Sequence, residues 1–251
     1  MCQSQRFYNE RFTTMASTLM PTSAARSEAA GQVDAEARRA LAWTHTARFL
    51  TTASALAELP VTELPEIAFV GRSNAGKSTA INVLTQQKRL AFASKTPGRT
   101  QHINLFELGP KLSADALFAD LPGYGYAAVE RNAKLRWQEV MAEYLAVRRS
   151  LSAIVVLVDS RLGFTDIDRK LLDFVAPRLA NGSVKLLALL TKVDKLNKRD
   201  TAAALQAASD VLGEIASEES DVSLTPFSAL SRAGVDDAAR ILYAWAHRTA
   251  Q

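Results

Sequence analysis

One stretch of the chain has the residue types and the spacing of a phosphate-binding loop. It reads Gly71-Arg72-Ser73-Asn74-Ala75-Gly76-Lys77-Ser78-Thr79 and fits the pattern G-x-x-x-x-G-K-[ST]. The glycines let backbone N–H groups turn toward a polyphosphate at the positive end of a following helix. We expect Lys77 to neutralise the outer phosphates and the Ser78 hydroxyl to bind their magnesium ion. The flanking apolar runs, 67–70 and 80–84, favour this interpretation over an ordinary strand-to-helix turn.

A second polar group follows a predicted strand further along the chain. Asp120-Leu121-Pro122-Gly123 comes directly after the apolar residues 116–119. The pattern D-x-x-G is weak alone, but its position after a strand downstream of a phosphate loop favours a nucleotide site over a plain β-turn. We expect Asp120 to act on magnesium through a water molecule, since magnesium keeps several waters. The Gly123 amide would meet the terminal phosphate.

A third group of residues indicates which base is bound. Thr191-Lys192-Val193-Asp194 follows the apolar run 184–190. A carboxylate accepts two parallel hydrogen bonds, which suits the N1–H and 2-amino donors of guanine, whereas adenine would turn an N1 lone pair toward Asp194. The aliphatic stem of Lys192 is able to lie along the base plane. Guanine is therefore the predicted base. Ser228-Ala229-Leu230 is not a specific motif alone, but after the preceding motifs it is predicted to offer a backbone N–H to guanine O6.

The loop before the predicted hairpin is the candidate for contact with the γ-phosphate. It reads Ser94-Lys95-Thr96-Pro97-Gly98-Arg99-Thr100-Gln101 and has no apolar anchor. We expect a γ-phosphate and a metal ion to order it. Thr100 is our choice for the second hydroxyl ligand of magnesium, and Thr96 is the competing candidate.

The residue after the D-x-x-G pattern predicts slow hydrolysis. Many GTPases place a glutamine there to orient the attacking water, and this chain has Tyr124, whose phenol is a poor substitute. We expect a partner, or a potassium ion held by Asn74, to accelerate the reaction. The alternative for Asn74 is a polar residue that only stabilises the turn.

The remaining sequence supplies a strand or a helix to position each group. From Glu66 onward, apolar runs and helical segments follow the order β-α-β-β-α-β-α-β-α-β-α. This order predicts an α/β fold, and together with the phosphate loop and the two later motifs it predicts the P-loop NTPase, small G-protein type. We expect three layers, α-β-α, around a mostly parallel six-stranded sheet with one antiparallel strand. Ligands of such sheets bind at the carboxyl ends of the strands.

The boundaries of the predicted elements follow from the same pattern. Strands are predicted at 67–70, 102–108, 116–119, 154–158, 184–190 and 222–225, with 102–108 and 116–119 forming a hairpin. Helices are predicted to begin near Lys77 and at 130–149, 165–179, 201–215 and 235–247.

The segment before the first predicted strand differs in composition. Residues 1–33 contain few large apolar residues, which predicts a disordered extension. The arginines there faintly resemble those of a transit peptide, but Glu10 and Glu28 oppose that interpretation, and a start at Met15 or Met20 is an alternative. We predict a helix and linker at 34–65, helix-compatible over 34–50, and a nucleotide-binding domain at 66–248.

Composition limits the class of protein. The chain has 251 residues, of which 48% are hydrophobic, a net charge of +4 and one cysteine, Cys2. That length and content are sufficient for a packed core. The sequence has no apolar run of 18 residues, so we expect no membrane span. Cys2 has no partner for an internal disulfide.

Basic residues are frequent around the predicted site. They form either a solvated surface or a face that meets an anionic partner such as RNA, whose binding would weaken steeply with salt. They are Lys88, Arg89, Lys95, Arg99, Lys192, Lys195, Lys198 and Arg199.

Four strings of residues carry a family resemblance. They are Gly-Arg-Ser-Asn-Ala-Gly-Lys-Ser from Gly71, Lys-Thr-Pro-Gly-Arg-Thr-Gln from Lys95, Asp-Leu-Pro-Gly-Tyr-Gly-Tyr-Ala from Asp120 and Thr-Lys-Val-Asp-Lys-Leu from Thr191. In this order they resemble the EngB family (also called YihA or YsxC), bacterial GTP-binding proteins of the TrmE-Era-EngA-EngB-Septin-like P-loop class. The resemblance covers about 48–247, and the two middle strings distinguish this family from other small GTPases.

The resemblance implies a function, partners and a set of contacts. It implies a bacterial cytoplasmic GTPase with Mg²⁺, and K⁺ as a further candidate, that binds GTP and GDP and assists assembly of the large ribosomal subunit, in contact with that subunit or its rRNA. It also implies a need in normal cell division and septation, a monomer and no membrane partner. By motif match the magnesium ligands are Ser78 and Thr100, with Asp120 through water, and the catalytic candidates are Lys77, Asn74 and Thr100. The nucleotide contacts implied are Gly71, Arg72, Ser73, Asn74, Ala75, Gly76, Lys77, Ser78, Gly98, Arg99, Thr100, Gln101, His102, Asp120, Leu121, Pro122, Gly123, Thr191, Lys192, Val193, Asp194, Phe227, Ser228 and Ala229.

Two departures and two alternative functions accompany the resemblance. Ala128 stands where the family usually has a lysine, which weakens any RNA contact through that position, and Leu162 stands where a histidine is common. One alternative is a direct division or septation factor without a ribosomal role. The other is an ATP-using P-loop kinase or ATPase, which Asp194 disfavours.

Overall fold

The computed structural model describes residues 23–91, 102–125 and 131–247. They form one seven-stranded sheet between two layers of helices, which confirms the predicted three-layer α/β fold. The strands are β1 (Arg48–Ala53), β2 (Glu66–Gly71), β3 (Ile103–Leu108), β4 (Ala116–Asp120), β5 (Leu151–Asp159), β6 (Lys185–Thr191) and β7 (Val222–Pro226). The helices are α1 (Ser23–Thr44), α2 (Lys77–Leu84), α3 (Arg131–Val147), α4 (Asp166–Ala180), α5 (Lys198–Ile215) and α6 (Val235–His247). Within these ranges, none of the helices has the length and hydropathy needed to cross a bilayer.

The strand order places the phosphate-loop strand at the centre of the sheet. The order is β1-β3-β4-β2-β5-β6-β7. β3 pairs antiparallel with both β1 and β4, and the other described pairs are parallel. The predicted hairpin, formed by β3 and β4, and the single reversed strand are therefore confirmed.

The sheet has one strand more than the sequence predicted. We expected helix over 34–50, but α1 ends at Thr44 and β1 begins at Arg48. Phe49 is aromatic, and Thr51 and Thr52 are β-branched, which suits a strand. Pairing with the open edge of β3 outweighs helix propensity there. An ion pair of 2.9 Å between Arg48 Nε and Glu107 Oε1 joins the same two strands.

Helix α1 also begins earlier than expected. We predicted a disordered extension over 1–33, yet α1 starts at Ser23. Residues 31–36 are exposed and burial begins at Ala37, so packing against α6 stabilises the second half of α1 and does not account for its early start. Residues 1–22 lie outside the described residues. The division at 34 and 66 stays a prediction, although β1 joins the same sheet as the later strands.

Alternation along β2 builds two hydrophobic cores. Ile67 and Phe69 face one layer, where they pack in a cluster with residues of α1, α2 and α6. Ala68 and Val70 face the opposite layer, which contains α3, α4 and α5. Successive side chains of a strand point to opposite faces, so a strand buried on both faces reads as a continuous apolar run. β2 is consequently packed on both faces, and the phosphate loop follows directly from this buried strand.

A polar contact fixes α1 at the end of the sheet remote from the phosphate loop. Trp43 Nε1 donates to Asp115 Oδ1 at 2.8 Å. The other oxygen of Asp115 lies 3.2 Å from His247 Nε2 at the end of α6. The Trp43 ring also meets Tyr243 edge-on, with centroids 5.6 Å apart. The N-terminal and C-terminal helices are thus joined through one carboxylate.

A buried carboxylate joins α3 to the first residue of β2. Glu66 is fully buried, and its Oε1 accepts a hydrogen bond from the Tyr144 hydroxyl. Its Oε2 accepts from Arg148 NH2 at 2.9 Å and from Ser150 Oγ at 3.1 Å. Burial raises the pKa of Tyr144 well above its ordinary value, and the nearby Glu66 charge adds to this. The phenol therefore remains a hydrogen-bond donor.

We predict that Glu66→Gln lowers the free energy of unfolding by about 3–5 kcal/mol. The variant keeps the shape of the side chain but leaves the buried Arg148 guanidinium without its counter-charge. Urea titration of both proteins measures the difference.

The matched control is Glu214→Gln. Glu214 pairs with Arg169 at 2.9 Å, but both side chains are largely exposed, 56% and 43%. Such pairs contribute less than about 1 kcal/mol. Equal losses in the two variants would contradict a structural role for the Glu66 charge.

Candidate nucleotide-binding site

The loop after β2 has the conformation of a cradle that closes on a helix N-terminus. Asn74 and Gly76 have left-handed backbones, with φ of 67° and 97°, and α2 starts at Lys77. A Cβ at Gly71 would lie 2.8 Å from the Leu157 carbonyl oxygen, so that position has no room for a side chain. The first amides of α2 have no acceptor within the helix and are available to an anion.

A buried lysine and a buried aspartate meet beside this loop. Lys77 Nζ donates to Asp120 Oδ1, and the two residues are only 8% and 0% exposed. β2 and β4 pair in parallel with Phe69 opposite Asp120, which brings the second motif to the first. The second oxygen, Asp120 Oδ2, is buried and has no hydrogen-bond partner among the described residues.

The unpaired oxygen of Asp120 fits a metal ion with bound water. A buried carboxylate oxygen without a partner is costly, and a water on magnesium would supply its hydrogen bond. Ser78, next to Lys77, carries the hydroxyl predicted to bind the ion directly. In the ranges described, no three His, Cys, Asp or Glu side chains converge on a metal position. Magnesium needs few protein ligands, because phosphates and waters complete its octahedron.

The D-x-x-G segment continues the pairing of β4 along the phosphate loop. The Leu121 amide donates to the Phe69 carbonyl at 3.2 Å, and the Tyr124 amide donates to the Gly71 carbonyl at 3.3 Å. The Ser73 amide in turn donates to the Tyr124 carbonyl at 2.9 Å. A Cβ on Gly123 would lie 3.2 Å from Ser73 Oγ. Gly123 is therefore packed directly against the loop.

Two side chains of the third motif bind the back of the phosphate loop. Thr191 Oγ1 donates to the Ala75 carbonyl at 2.7 Å, and Lys192 Nζ donates to the Asn74 carbonyl at 2.7 Å. Lys192 Nζ also donates to Asp159 Oδ2 at 2.8 Å. The phosphate-binding and base-binding motifs, far apart in sequence, are thus in direct contact.

Asp194 is held in place by the segment after β7. Its Oδ1 accepts from Ser228 Oγ at 2.7 Å, and its Oδ2 lies 3.5 Å from Lys195 Nζ. The Ser228 hydrogen bond holds the pKa of Asp194 below its ordinary value. The Ser228 side chain therefore orients the carboxylate, in addition to any contact of its own with a base.

The backbone of the same segment is tied to β6. The Phe227 amide donates to the Leu190 carbonyl at 2.7 Å, and the Val193 amide donates to the Phe227 carbonyl at 3.4 Å. The Ser228 amide donates to the Ala233 carbonyl at 3.0 Å. The amide of Ala229 donates to no backbone carbonyl among the described residues and is the candidate donor to guanine O6.

Sequence reasoning missed Asp159 and Arg161. Asp159 ends β5, and its carboxylate accepts from Arg161 Nε at 2.9 Å and Arg161 NH2 at 2.7 Å as well as from Lys192. The hydrogen bonds from Arg161, with help from Lys192, hold the pKa of Asp159 well below its ordinary value. Both residues line a cavity of about 220 Å³ beside the phosphate loop. The available signal was the position of Asp159 at the carboxyl end of a predicted strand.

Tyr124 directs its hydroxyl to Asp168, which lines the cavity beside the phosphate loop. The side chain is only 7% exposed, and its hydroxyl donates to Asp168 Oδ1 at 2.7 Å, in the first turn of α4. Burial raises the pKa of Tyr124 well above its ordinary value, with a further contribution from Asp168. The expectation that the hydroxyl takes no part in hydrolysis stays a prediction.

One predicted site residue, His102, directly follows the residues that the structure does not describe, and five others lie among them. His102 begins the β3 side of the site, with its Nδ1 2.9 Å from Ser54 Oγ. Gly98, Arg99, Thr100 and Gln101 lie outside the described residues, as does Thr96, so the choice between the two threonines stays open. Leu162 is 63% exposed, and nothing in the structure explains its presence there.

Comparison with known proteins assigns the chain to a family. Residues 66–192 match the family model described as "50S ribosome-binding GTPase". The protein named "Probable GTP-binding protein EngB" of Acidovorax ebreus (strain TPSY) is 58% identical over 207 residues, which cover 82% of this chain and 91% of the relative. The protein of the same name of Polaromonas sp. (strain JS666) is 57% identical over 219 residues, which cover 87% of this chain and 86% of the relative. A crystal structure of a probable GTP-binding protein engB has a TM-score of 0.54 at 22% identity, covers 73% of this chain and all of its own, and supports the fold. By its identity to these relatives over most of its length, this chain belongs to the EngB family of GTP-binding proteins.

Proposed function

We propose that this GTPase is a nucleotide-gated switch in assembly of the large ribosomal subunit. It binds GTP and GDP with Mg²⁺, hydrolyses GTP slowly when alone, and binds the subunit or its rRNA in one nucleotide state. The proposal places it in the bacterial cytoplasm, where ribosomes assemble, and makes normal division and septation dependent on it. The matched family description, "50S ribosome-binding GTPase", supports the ribosomal part.

One observation carries the proposal of a guanine nucleotide site. Thr191 and Lys192 donate to the Ala75 and Asn74 carbonyls of the phosphate loop, so a ligand with both phosphates and a base is able to meet both motifs at once. Asp194 then presents a charged carboxylate whose orientation Ser228 controls. Guanine, with adjacent N1–H and 2-amino donors, is the base that matches this acceptor.

We assign the phosphate end of the ligand to residues around α2. Lys77 would exchange its contact with Asp120 for the outer phosphates, because the phosphates carry more negative charge than a single carboxylate. Ser78 and Thr100 would bind magnesium, and Asp120 would hold one of its waters through the oxygen that now lacks a partner. Magnesium neutralises charge on the phosphates when it is bound.

The basic surface divides into two groups in the structure. Lys192 and Lys195 are paired with Asp159 and Asp194, so they belong to the nucleotide site. Four others are exposed and remain candidates for contact with RNA phosphates: Lys88, Arg89, Lys198 and Arg199. Lys95 and Arg99 lie outside the described residues.

We predict that Asp194→Asn weakens GTP binding about 100-fold. The amide replaces a charged acceptor with one carbonyl and one donor, so two charge-assisted hydrogen bonds to guanine are lost. Xanthosine triphosphate, which has a carbonyl where guanine has its 2-amino group, should gain relative to GTP. Titration calorimetry with GDP, GTP and xanthosine triphosphate measures the change.

Asp210→Asn, on the exposed face of α5, is the control and should bind as the wild type does. Because the pKa of Asp194 lies below its ordinary value, the carboxylate stays charged on acidification, and wild-type affinity should not fall through this group between pH 7 and pH 5. Unchanged GTP affinity in Asp194→Asn would remove the base assignment.

We predict that potassium raises the rate of GTP hydrolysis about tenfold over sodium, about 1.4 kcal/mol of barrier. Asn74→Gly should abolish the difference. Glycine removes the amide side chain but accepts the left-handed backbone, φ 67°, so the loop keeps its shape. Phosphate release is measured in matched KCl and NaCl buffers. Equal turnover of the wild type in both salts would leave Asn74 only its role in the turn.

We predict that the chain co-sediments with large ribosomal subunits with a non-hydrolysable GTP analogue and is released with GDP. The joint variant Lys88→Ala, Arg89→Ala should weaken binding and reduce its dependence on salt, since each lost phosphate contact lowers the slope. Glu218→Ala with Glu219→Ala, on the exposed turn after α5, is the control pair. Sedimentation independent of nucleotide would contradict a switch.

A further inference from the structure

Tyr124 is fixed through its backbone and through its side chain. Its amide and carbonyl bond Gly71 and Ser73 of the phosphate loop, so it continues the sheet in register beyond the end of β4. Its hydroxyl bonds Asp168 of α4 at 2.7 Å. The residue next to Gly123 is thus held between the loop on one side and a helix on the other.

Asp168 is a rigid acceptor for that hydroxyl. It is 1% exposed and lies in the first turn of α4, where its Oδ2 accepts from the Thr165 amide at 2.8 Å and from Thr165 Oγ1 at 2.6 Å. The bond from the Thr165 amide is the N3 half of a capping box, and the helix dipole further favours a negative charge there. The cap uses one oxygen only, and the other is given to Tyr124.

The tether explains why a tyrosine occupies this position. A phenol buried without a partner is costly, and here the partner is a charged carboxylate on a helix that packs through Leu171, Leu172 and Val175 into the core. Because burial raises its pKa, the phenol donates this bond at all ordinary pH values. The Tyr124 side chain is therefore attached to α4 through its hydroxyl.

The attachment determines where Gly123 lies. Tyr124 is its neighbour, and Gly123 is packed so closely on Ser73 that a Cβ would lie 3.2 Å from Ser73 Oγ and 3.3 Å from the Ser73 amide nitrogen. A segment ordered before the ligand arrives loses less entropy on binding. Only GTP has the terminal phosphate that the Gly123 amide is predicted to meet, so pre-ordering favours GTP over GDP.

We propose that Asp168 is a positioning residue that acts through the Tyr124 hydroxyl to hold Gly123 at the phosphate loop, and that this tether sets the preference for GTP over GDP. The inference rests on the proposed function, since it requires a guanine nucleotide in the site. Asp168 lies outside the four motif strings, and the proposal makes it one of the residues that respond to the γ-phosphate.

The test compares Tyr124→Phe with the wild type in binding and in turnover. The dissociation constant for a non-hydrolysable GTP analogue should rise about tenfold, as expected for loss of one hydrogen bond to a charged acceptor, and that for GDP less than about twofold. The KM for GTP should rise with it, while kcat at saturation should fall less than tenfold. A tenfold or larger fall in kcat without change in the affinity ratio would instead make the hydroxyl catalytic and overturn the inference.

The structure offers a matched control in a second buried tyrosine–carboxylate pair. Tyr144→Phe removes the hydroxyl that donates to Glu66, far from the phosphate loop. It should lower the melting temperature and leave the ratio of GTP-analogue to GDP affinity unchanged. If Tyr124→Phe behaves as Tyr144→Phe does, the bond is only structural and the inference is wrong.

A double-mutant cycle shows whether Asp168 acts through Tyr124. Asp168→Ala alone, Tyr124→Phe alone and the two combined should change the affinity ratio to the same extent, because each change removes the same hydrogen bond. Additive effects would contradict the tether. A wild type that binds neither GDP nor GTP would defeat the proposed function itself, whereas normal wild-type binding with an unchanged ratio in Tyr124→Phe would defeat only this inference.

Discussion

Parallel pairing of the central strands is the constraint on which the site depends. β4, β2, β5 and β6 lie side by side and run in the same direction, so their carboxyl ends share one edge of the sheet. The register is explicit: Phe69 pairs with Asp120, Gly71 with Leu157, and Asp159 with Thr191. Each motif begins where one of these strands ends. A slip of β2 by one residue is disfavoured because it would place Ile67 and Phe69 in the space that Ala68 and Val70 fill.

Two ion pairs hold charged side chains at the site that the strand ends form. Two lysines point into the region around the phosphate loop, and each has a carboxylate from a neighbouring strand: Asp120 for Lys77 and Asp159 for Lys192. The two pairs differ in their freedom. Lys77 has one partner and leaves an oxygen of Asp120 unpaired, which suits exchange with phosphate and metal. Lys192 is bound on two sides and so holds the base motif against the loop.

A buried hydrogen bond between a tyrosine and a carboxylate occurs at two places in the structure. A tyrosine hydroxyl donates to a carboxylate at Tyr144–Glu66 and at Tyr124–Asp168. The first joins α3 to the start of β2 and supports the fold. The second joins the D-x-x-G segment to α4 and lies one residue from the glycine predicted to meet a phosphate. The two hydrogen bonds have the same chemistry. They differ in location, because only the Tyr124–Asp168 bond lies at the carboxyl ends of the strands.

The sequence alone determined the fold class, the central strands and the three described motifs, because local patterns encode them. The glycines and Lys77 of the phosphate loop, the apolar run of β2 and the carboxylate of Asp194 are legible from residue type and spacing. Structure decided what depends on distant partners. β1 is a strand because β3 offers an open edge, Asp159 belongs to the site because β5 lies beside β6, and Asp168 meets Tyr124 because α4 packs beside the loop. Such contacts join residues far apart in the chain, and no local pattern records them.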